Sequence, residues 1–169
     1  MILGVMSDTH GNRKLMHQVA GLMEAALEVT VILHLGDEFT DAQELAMAGH
    51  EVRMVPGLWC EAYHNARIPK RLVEEFDGLK VAMAHADRDL RHTERAAAII
   101  LTGHTHSAVI HRIGTCIYMN PGHLKRHQDR NEDASFGTIA INNDTVRCAI
   151  HDISGGVRDE LTALRNQLA

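Results

Sequence analysis

Five short apolar runs in this chain each stop at a cluster of Asp, Glu or His, and this pattern restricts the fold more than any other feature. Ile2–Met6 leads into Ser7-Asp8-Thr9-His10-Gly11, and Val31–Leu35 into Gly36-Asp37-Glu38. Val52–Val55 leads into Pro56-Gly57-Leu58-Trp59-Cys60-Glu61, and Leu79–Ala84 into His85-Ala86-Asp87. Ala98–Leu101 leads, through Thr102, into Gly103-His104-Thr105-His106. Apolar runs of this length, closed by Gly and polar residues, read as buried strands. In an open α/β sheet the binding crevice lies at the carboxyl ends of the strands. Several strands therefore bring carboxylates and imidazoles to one place, which is what a metal site of mixed oxygen and nitrogen ligands requires.

Between these strands the periodicity changes. Residues 13–26 carry Leu15, Val19, Leu22, Met23 and Ala26 on one helical stripe, and 41–48 form a short Ala-rich helix that Gly49 ends. Strand, helix, strand, helix, strand implies right-handed parallel crossovers. Residues 62–69 read as a loop, and Thr93 to Ala98 as a short helix capped by Thr93. Asp77-Gly78 marks a hairpin between 71–76 and 79–84. Two further hairpins follow, 108–113 with 115–119 about Gly114 and 135–142 with 145–151 about Asn143-Asp144. Antiparallel hairpins after a parallel start predict a second sheet stacked on the first. Val157 to Leu168 is expected to be a C-terminal helix, and 123–134, with almost no apolar residue, a mobile loop.

The length of 169 residues suits one domain, 1–169, with a sizeable core. A net charge of −5 gives no general attraction to nucleic acid or an anionic membrane, so a phosphate must be recognised locally. No apolar run approaches membrane-spanning length. Cys60, Cys116 and Cys148 lack C-x-x-C spacing, and no signal sequence leads the chain, so a reducing, cytoplasmic setting is expected. The 13 histidines far exceed the roughly four expected from average usage. Six of them (His17, His50, His64, His92, His111 and His151) lie outside any motif and read as surface or half-buried residues.

Each polar cluster has a plain reading. Asp8 can make an Asx-turn, Gly36-Asp37 is a common turn pair, and a lone His85 suits a satisfied buried histidine. His104 and His106, two apart after a glycine, are rarely both needed by a turn. The joint order is more specific: Asp8-x-His10, Gly36-Asp37, a Gly57 turn, His85, then Gly103-His104-x-His106, with Asn120-Pro121-Gly122 beyond. Over residues 2–142 this order resembles the calcineurin-like metallophosphoesterases, in particular their small single-domain bacterial and archaeal phosphodiesterase branch. The resemblance implies a four-layer αββα sandwich, two mixed sheets flanked by helices, with a two-metal centre at the strand ends.

Carried over by position, the resemblance assigns one ion to Asp8, His10, Asp37 and His106. A second ion shares Asp37 as a bridge and adds His85 and His104. Such ligands suit Mn, Ni, Fe, Zn or Co rather than Mg or Ca. A metal-bound hydroxide would then attack phosphorus in line. Two departures stand out. The family's third motif places a metal-ligating Asn after the glycine, whereas Leu58 follows Gly57 here. Either Cys60 or Glu61 substitutes, or Trp59 packs, Cys60 is inert and the second site is weak. His123 follows Asn120-Pro121-Gly122, where relatives carry a small hydroxyl residue, with Lys125 and Arg126 close behind. His123 and Arg126 are candidate contacts to a substrate anion, or else part of a solvated basic loop. The expected activity is hydrolysis of a phosphate ester, a phosphodiester in preference to a monoester, without a membrane partner. Nucleic acid is not expected beyond a small phosphodiester substrate, and a homo-oligomer is compatible with the sequence. The rival is a weakly active or inactive binding module, as in the member of the broader family that serves as a subunit of a membrane-trafficking coat.

Overall fold

The computed structural model describes all 169 residues. In chain order its main elements are β1 (Ile2–Met6), α1 (Arg13–Leu27), β2 (Val31–His34), α2 (Phe39–Met47), β3 (Val52–Met54), α3 (Glu61–His64), β4 (Arg71–Phe76), β5 (Leu79–Ala84), β6 (Ile99–Leu101), β7 (Val109–Ile113), β8 (Cys116–Asn120), β9 (Gln128–Asp129), β10 (Glu132–Asp133), β11 (Ser135–Ile141), β12 (Thr145–Asp152) and β13 (Val157–Leu164). Two mixed sheets result, of order β13-β12-β11-β1-β2-β3 and β4-β5-β6-β8-β7. In the first, β1, β2 and β3 run parallel; in the second, β5, β6 and β8 do.

Side chains two apart on a strand share a face, and the core is sorted on that rule. Leu3 and Val5, Val31 and Leu33, Val81 and Met83, and Ile99 and Leu101 enter the core between the sheets. Met6 and Ile32 turn the other way and pack with Leu15, Met16, Val19 and Met23 of α1. Helix α1 starts where Asn12 caps it, its side-chain oxygen accepting from the Leu15 amide at 3.3 Å. Ala82, Ala84 and Ile100 line the outer face of the second sheet. Short 3-10 turns at Asp87–Asp89 and Glu94–Ala96 follow β5 on that side, so the fourth layer is thin.

Five expectations need correction. The chain's end is strand β13, not a helix: Val157–Leu164 pairs antiparallel with β12 along its length. The Leu161, Leu164, Leu168 spacing imitates a helix, but Leu161 and Ala163 alternate towards the inter-sheet core as a strand requires. The segment 123–134 is not a solvated loop. His123 and Leu124 are fully buried, Asp129 and Ala134 nearly so, and β9 and β10 form a small hairpin. His151 is buried rather than superficial, bonded to the Thr138 hydroxyl at 2.8 Å and stacked on Phe136. Residues 62–64 of the expected loop belong to the short helix α3, and Thr93 makes no side-chain cap.

Candidate metal centre

Because β1, β2, β5 and β6 are parallel strands, their carboxyl ends lie along one edge of the stacked sheets. Asp8 and His10 follow β1, Asp37 follows β2, His85 follows β5, and His104 and His106 follow β6. Asp8, His10, His104 and His106 all take positive φ, between 47° and 68°, which is uncommon for residues other than glycine. Four left-handed residues at one place are local strain of the kind that clusters at functional sites.

Two glycines permit the approach. A Cβ on Gly57 would lie 2.4 Å from the Asp37 Cα, and one on Gly103 would lie 1.9 Å from Ser7 Oγ and 2.7 Å from Asp8 Oδ2. The loops after β2 and β3 therefore touch backbone to backbone, with the Gly57 amide donating to the Asp37 carbonyl at 3.0 Å.

The ligand atoms form two overlapping groups, Asp8 with His10 and His106, and Asp8 with Asp37 and His85, each within 4.8 Å of one another. His10 Nε2 is 3.0 Å from Asp37 Oδ2, and His85 Nε2 is 3.7 Å from Asp37 Oδ1. Asp37 thus offers one oxygen towards each imidazole. Asp8 uses Oδ2 to accept from the Ser7 hydroxyl at 2.6 Å and the His104 amide at 2.9 Å. Its Oδ1 lies 3.3 Å from His106 Nε2. Asp8 Oδ1 and His85 Nε2 are buried without any hydrogen-bond partner. Buried polar atoms are rarely left so, and a divalent cation between them supplies the missing partner, so the residues present fit a metal. His104 lies outside both groups, half-buried with its ring edge-on to His85 at 5.2 Å.

Burial alone would raise the carboxyls of Asp8 and Asp37. The nearby His106 imidazole for Asp8, and that of His10 for Asp37, more than offset it, so both stay below the ordinary carboxylate value. Burial, then the neighbouring His85, lowers His104 and favours its neutral, ligating form. His106 is raised, chiefly by the adjacent Asp8 carboxylate.

Cys60 does not join either ligand group. Its thiol donates to the Gly57 carbonyl at 3.1 Å, and Leu58 is buried while Trp59 is 83% exposed. Cys60 and Glu61 instead line a cleft of about 680 Å³ with Glu38, Thr40, Gln43 and His64. His123 presents nothing to solvent; its ring packs beside His106 at 5.1 Å and its Nε2 bonds the Glu132 carbonyl at 3.1 Å. Arg126 is turned to Asp129 through Nε at 3.0 Å and through Nη2. His123 therefore has no exposed surface to offer a substrate anion, whereas the Arg126 side chain is 64% exposed while engaged with Asp129.

Three residues escaped the sequence reading. Asp129 Oδ2 accepts from His106 Nδ1 at 2.7 Å. Asp41, nearly fully buried, accepts from the Thr9 hydroxyl at 2.7 Å and the Gly11 amide at 2.9 Å, holding the loop that carries Asp8 and His10. Buried His34 contacts Thr9 Oγ1 at 3.4 Å and receives the Gly36 amide on Nδ1 at 3.2 Å. Burial pushes its pKa down to about 4. Asp41, in a stretch of acids after Gly36-Asp37, carried the one weak signal: a charged residue on the inward side of an amphipathic helix.

Two stacked mixed sheets with a cluster of acids and imidazoles at their parallel strand ends define a sandwich built around a candidate dinuclear centre. The model of the calcineurin-like phosphoesterase superfamily domain matches residues 1–144, and the chain belongs to that superfamily. A probable metallophosphoesterase of Methanothermobacter thermautotrophicus is 26% identical over 136 residues, 72% of this chain and 76% of the archaeal one. Among solved structures, a conserved Streptococcus pneumoniae protein described as a predicted phosphoesterase superposes with a TM-score of 0.72 at 20% identity, covering 97% of each chain. Vps29 of Entamoeba histolytica, crystallised with zinc, superposes with a TM-score of 0.67 at 19% identity, covering 97% of this chain and 99% of its own. These two likenesses establish the fold alone. No helix is long and apolar enough to cross a membrane.

Proposed function

We propose that the protein is a metal-dependent phosphodiesterase whose ions are held by Asp8, His10, Asp37, His85, His104 and His106. The observation that carries the reading is the pair of buried, unpartnered atoms, Asp8 Oδ1 and His85 Nε2, that face the same carboxylate and imidazole cluster. Asp8, His10 and His106 serve one ion and His85 and His104 the other, with Asp37 offering an oxygen to each. Bound divalent ions supply Lewis acidity, making a water nucleophilic near neutral pH and drawing charge from the phosphoryl oxygens.

The side chains themselves orient and exclude. Ser7 fixes one oxygen of Asp8 so that the other faces inward. Burial of Asp8, His85 and His106 keeps bulk water off that side. No side chain is placed as a covalent nucleophile. The Ser7 hydroxyl is buried and donates to Asp8, and burial pushes the Cys116 and Cys148 thiols up to about 11 and about 12. A diester suits the site better than a monoester dianion. The basic side chains of Lys125, Arg126 and Arg130 face Asp129 and leave no free cluster of cations for a second phosphate charge.

Exhaustive chelation should abolish hydrolysis of bis(p-nitrophenyl) phosphate, and Mn should restore it. Undiminished turnover after chelation sinks the reading. Buried Leu58 at the position of the family's Asn and the exposed Trp59 favour a second reading, a binding module with little catalysis. That reading requires the protein to take up metal without turning over the diester.

A further inference from the structure

We infer that Asp129 is a positioning residue for His106, and that Lys125, Arg126 and Arg130 act on the metal centre through it rather than on a substrate. This rests on the metal reading above. His106 has two ring nitrogens with different neighbours. Nδ1 is 2.7 Å from Asp129 Oδ2, and Nε2 is 3.3 Å from the unpartnered Asp8 Oδ1. An ionised carboxylate only accepts, so it fixes the proton on Nδ1 and leaves the Nε2 lone pair facing the ligand cluster. The other rings against His106 do not make that choice: His10 meets it at Nε2, 3.1 Å away, and His123 packs beside it without a hydrogen bond. A carboxylate behind a ligating imidazole holds both its tautomer and its orientation.

Asp129 does this from a nearly buried position where its charge is balanced by neighbours. Three cations surround it. Arg126 bonds Oδ1 through Nε and Nη2, Lys125 Nζ is 3.5 Å from Oδ1, and Arg130 Nε is 3.7 Å from Oδ2. The donors that an anion-binding loop would offer to a phosphate are thus directed at a protein carboxylate.

The backbone around Asp129 is built for this task. Strands β9 and β10 have two residues each, too few to be stable alone. The turn between them puts both Arg130 and Asn131 in the left-handed region, at φ 53° and 64°, a strained choice for arginine. Outside bonds anchor the segment. Ser107 Oγ donates to Glu132 Oε1 at 2.9 Å, His123 Nε2 meets the Glu132 carbonyl, and the Asn12 amide donates to the Lys125 carbonyl at 3.0 Å. Ser107 adjoins His106, and Asn12 caps the helix that follows His10. The hairpin segment is therefore tied both to the loop that carries His106 and to the start of the helix that follows His10.

The test measures metal affinity by calorimetry with Mn for wild type, Asp129→Ala, Asp129→Glu and Arg126→Ala, with the melting temperature of each metal-free protein as the folding control. Asp129→Ala should weaken the tighter ion by about 10- to 100-fold, Asp129→Glu should recover part of that, and Arg126→Ala should lose less than Asp129→Ala. Long-range 1H–15N correlation on metal-free wild type at alkaline pH, which needs no variant to fold, should find the His106 proton on Nδ1. A proton on Nε2, or Asp129→Ala binding Mn within about threefold of wild type, overturns the inference. So does an Arg126→Ala variant with unchanged affinity and a raised KM for the aryl diester. A wild type that takes up Mn but hydrolyses no diester defeats the proposed activity and leaves the role of Asp129 measurable.

Discussion

Gly57→Ala is the sharpest perturbation of the centre that replaces no ligand residue. A Cβ at this position would sit 2.3 Å from the Asp37 carbonyl oxygen and 2.4 Å from both its Cα and Oδ1. Ordinary contact needs roughly 3.4 Å or more, so one loop must move by about 1 Å. The opposing atoms are mostly backbone and no flexible side-chain end can yield. Overpacking of this kind costs about 1–3 kcal/mol, which in a domain of this size lowers Tm by roughly 2–12 °C. The functional loss should be larger than the loss of stability. Asp37 is the residue proposed above to serve both ions, and a displacement of about 1 Å at a reacting centre costs on the order of 100-fold in rate. Gly11→Ala is the matched control. Gly11 has φ +77° and no heavy atom within 4 Å of its would-be Cβ, so it bears only the left-handed backbone penalty of about 1–2 kcal/mol. Manganese titration, thermal melts and diester hydrolysis on the two variants settle the matter. If Gly57→Ala binds Mn like wild type while Gly11→Ala is the more impaired, close contact between Gly57 and Asp37 is not what shapes the site.

Asp37→Asn should lower occupancy of both ions and His85→Ala of mainly one; elemental analysis showing the same single-ion loss in both would remove Asp37 from the bridging role. Leu58→Asn, which restores the family's residue, should raise occupancy of the second ion while lowering Tm, because an amide replaces a buried aliphatic side chain; unchanged metal stoichiometry would count against it. His34 contributes a pH dependence of definite sign. Folded, its pKa is about 4 against an ordinary 6.5, so between these values the unfolded chain binds more protons and stability falls as pH falls, by a total on the order of 3 kcal/mol. The carboxyls of Asp8 and Asp37 are held below 3.8 and lose their contributions at lower pH, outside that window. Urea midpoints at pH 7 and pH 5 should differ for wild type and much less for His34→Gln; equal differences in the two proteins would show that His34 is not buried neutral.

The sheets were legible because burial on both faces writes itself into sequence as a continuous apolar run. Ile2–Met6 and Leu79–Ala84 are such runs, and their polar stops are where the strands leave the core. The clustering of the candidate site was legible for the same reason: parallel strands end on one edge, so residues far apart in the chain share an address. The C-terminus was not. Strand β13 is an edge strand whose residues are mostly exposed, so its apolar spacing is too sparse to separate a period of 2 from one of 3.6. Its strand state comes from β12, which supplies the hydrogen bonds, and not from its own residues.

Asp129 was hidden by a different cause. A carboxylate that orients a ligand needs only to reach the far nitrogen of the ring, and no sequence spacing follows from that; it lies 23 residues beyond His106. Its neighbours add to the disguise, since Lys125, Arg126, Arg130, Asn131 and Glu132 have the composition of a solvated loop. The structure reverses that reading through charge balance. A lone buried carboxylate next to an imidazole would be driven to take up a proton, so its burial beside His106 requires compensating cations close by. The basic residues that make 123–134 look like a surface segment are the ones that allow its single inward-facing acid to remain charged. What distinguishes this segment from a solvated loop is its two inward apolar residues, Leu124 and Ala134, which pack against α1 and seat the hairpin on the protein. Leu124→Ala should therefore loosen the hairpin and weaken metal binding without changing any polar group of the centre. An intact metal affinity with a lowered Tm would show that Asp129 is held by its ion pairs alone.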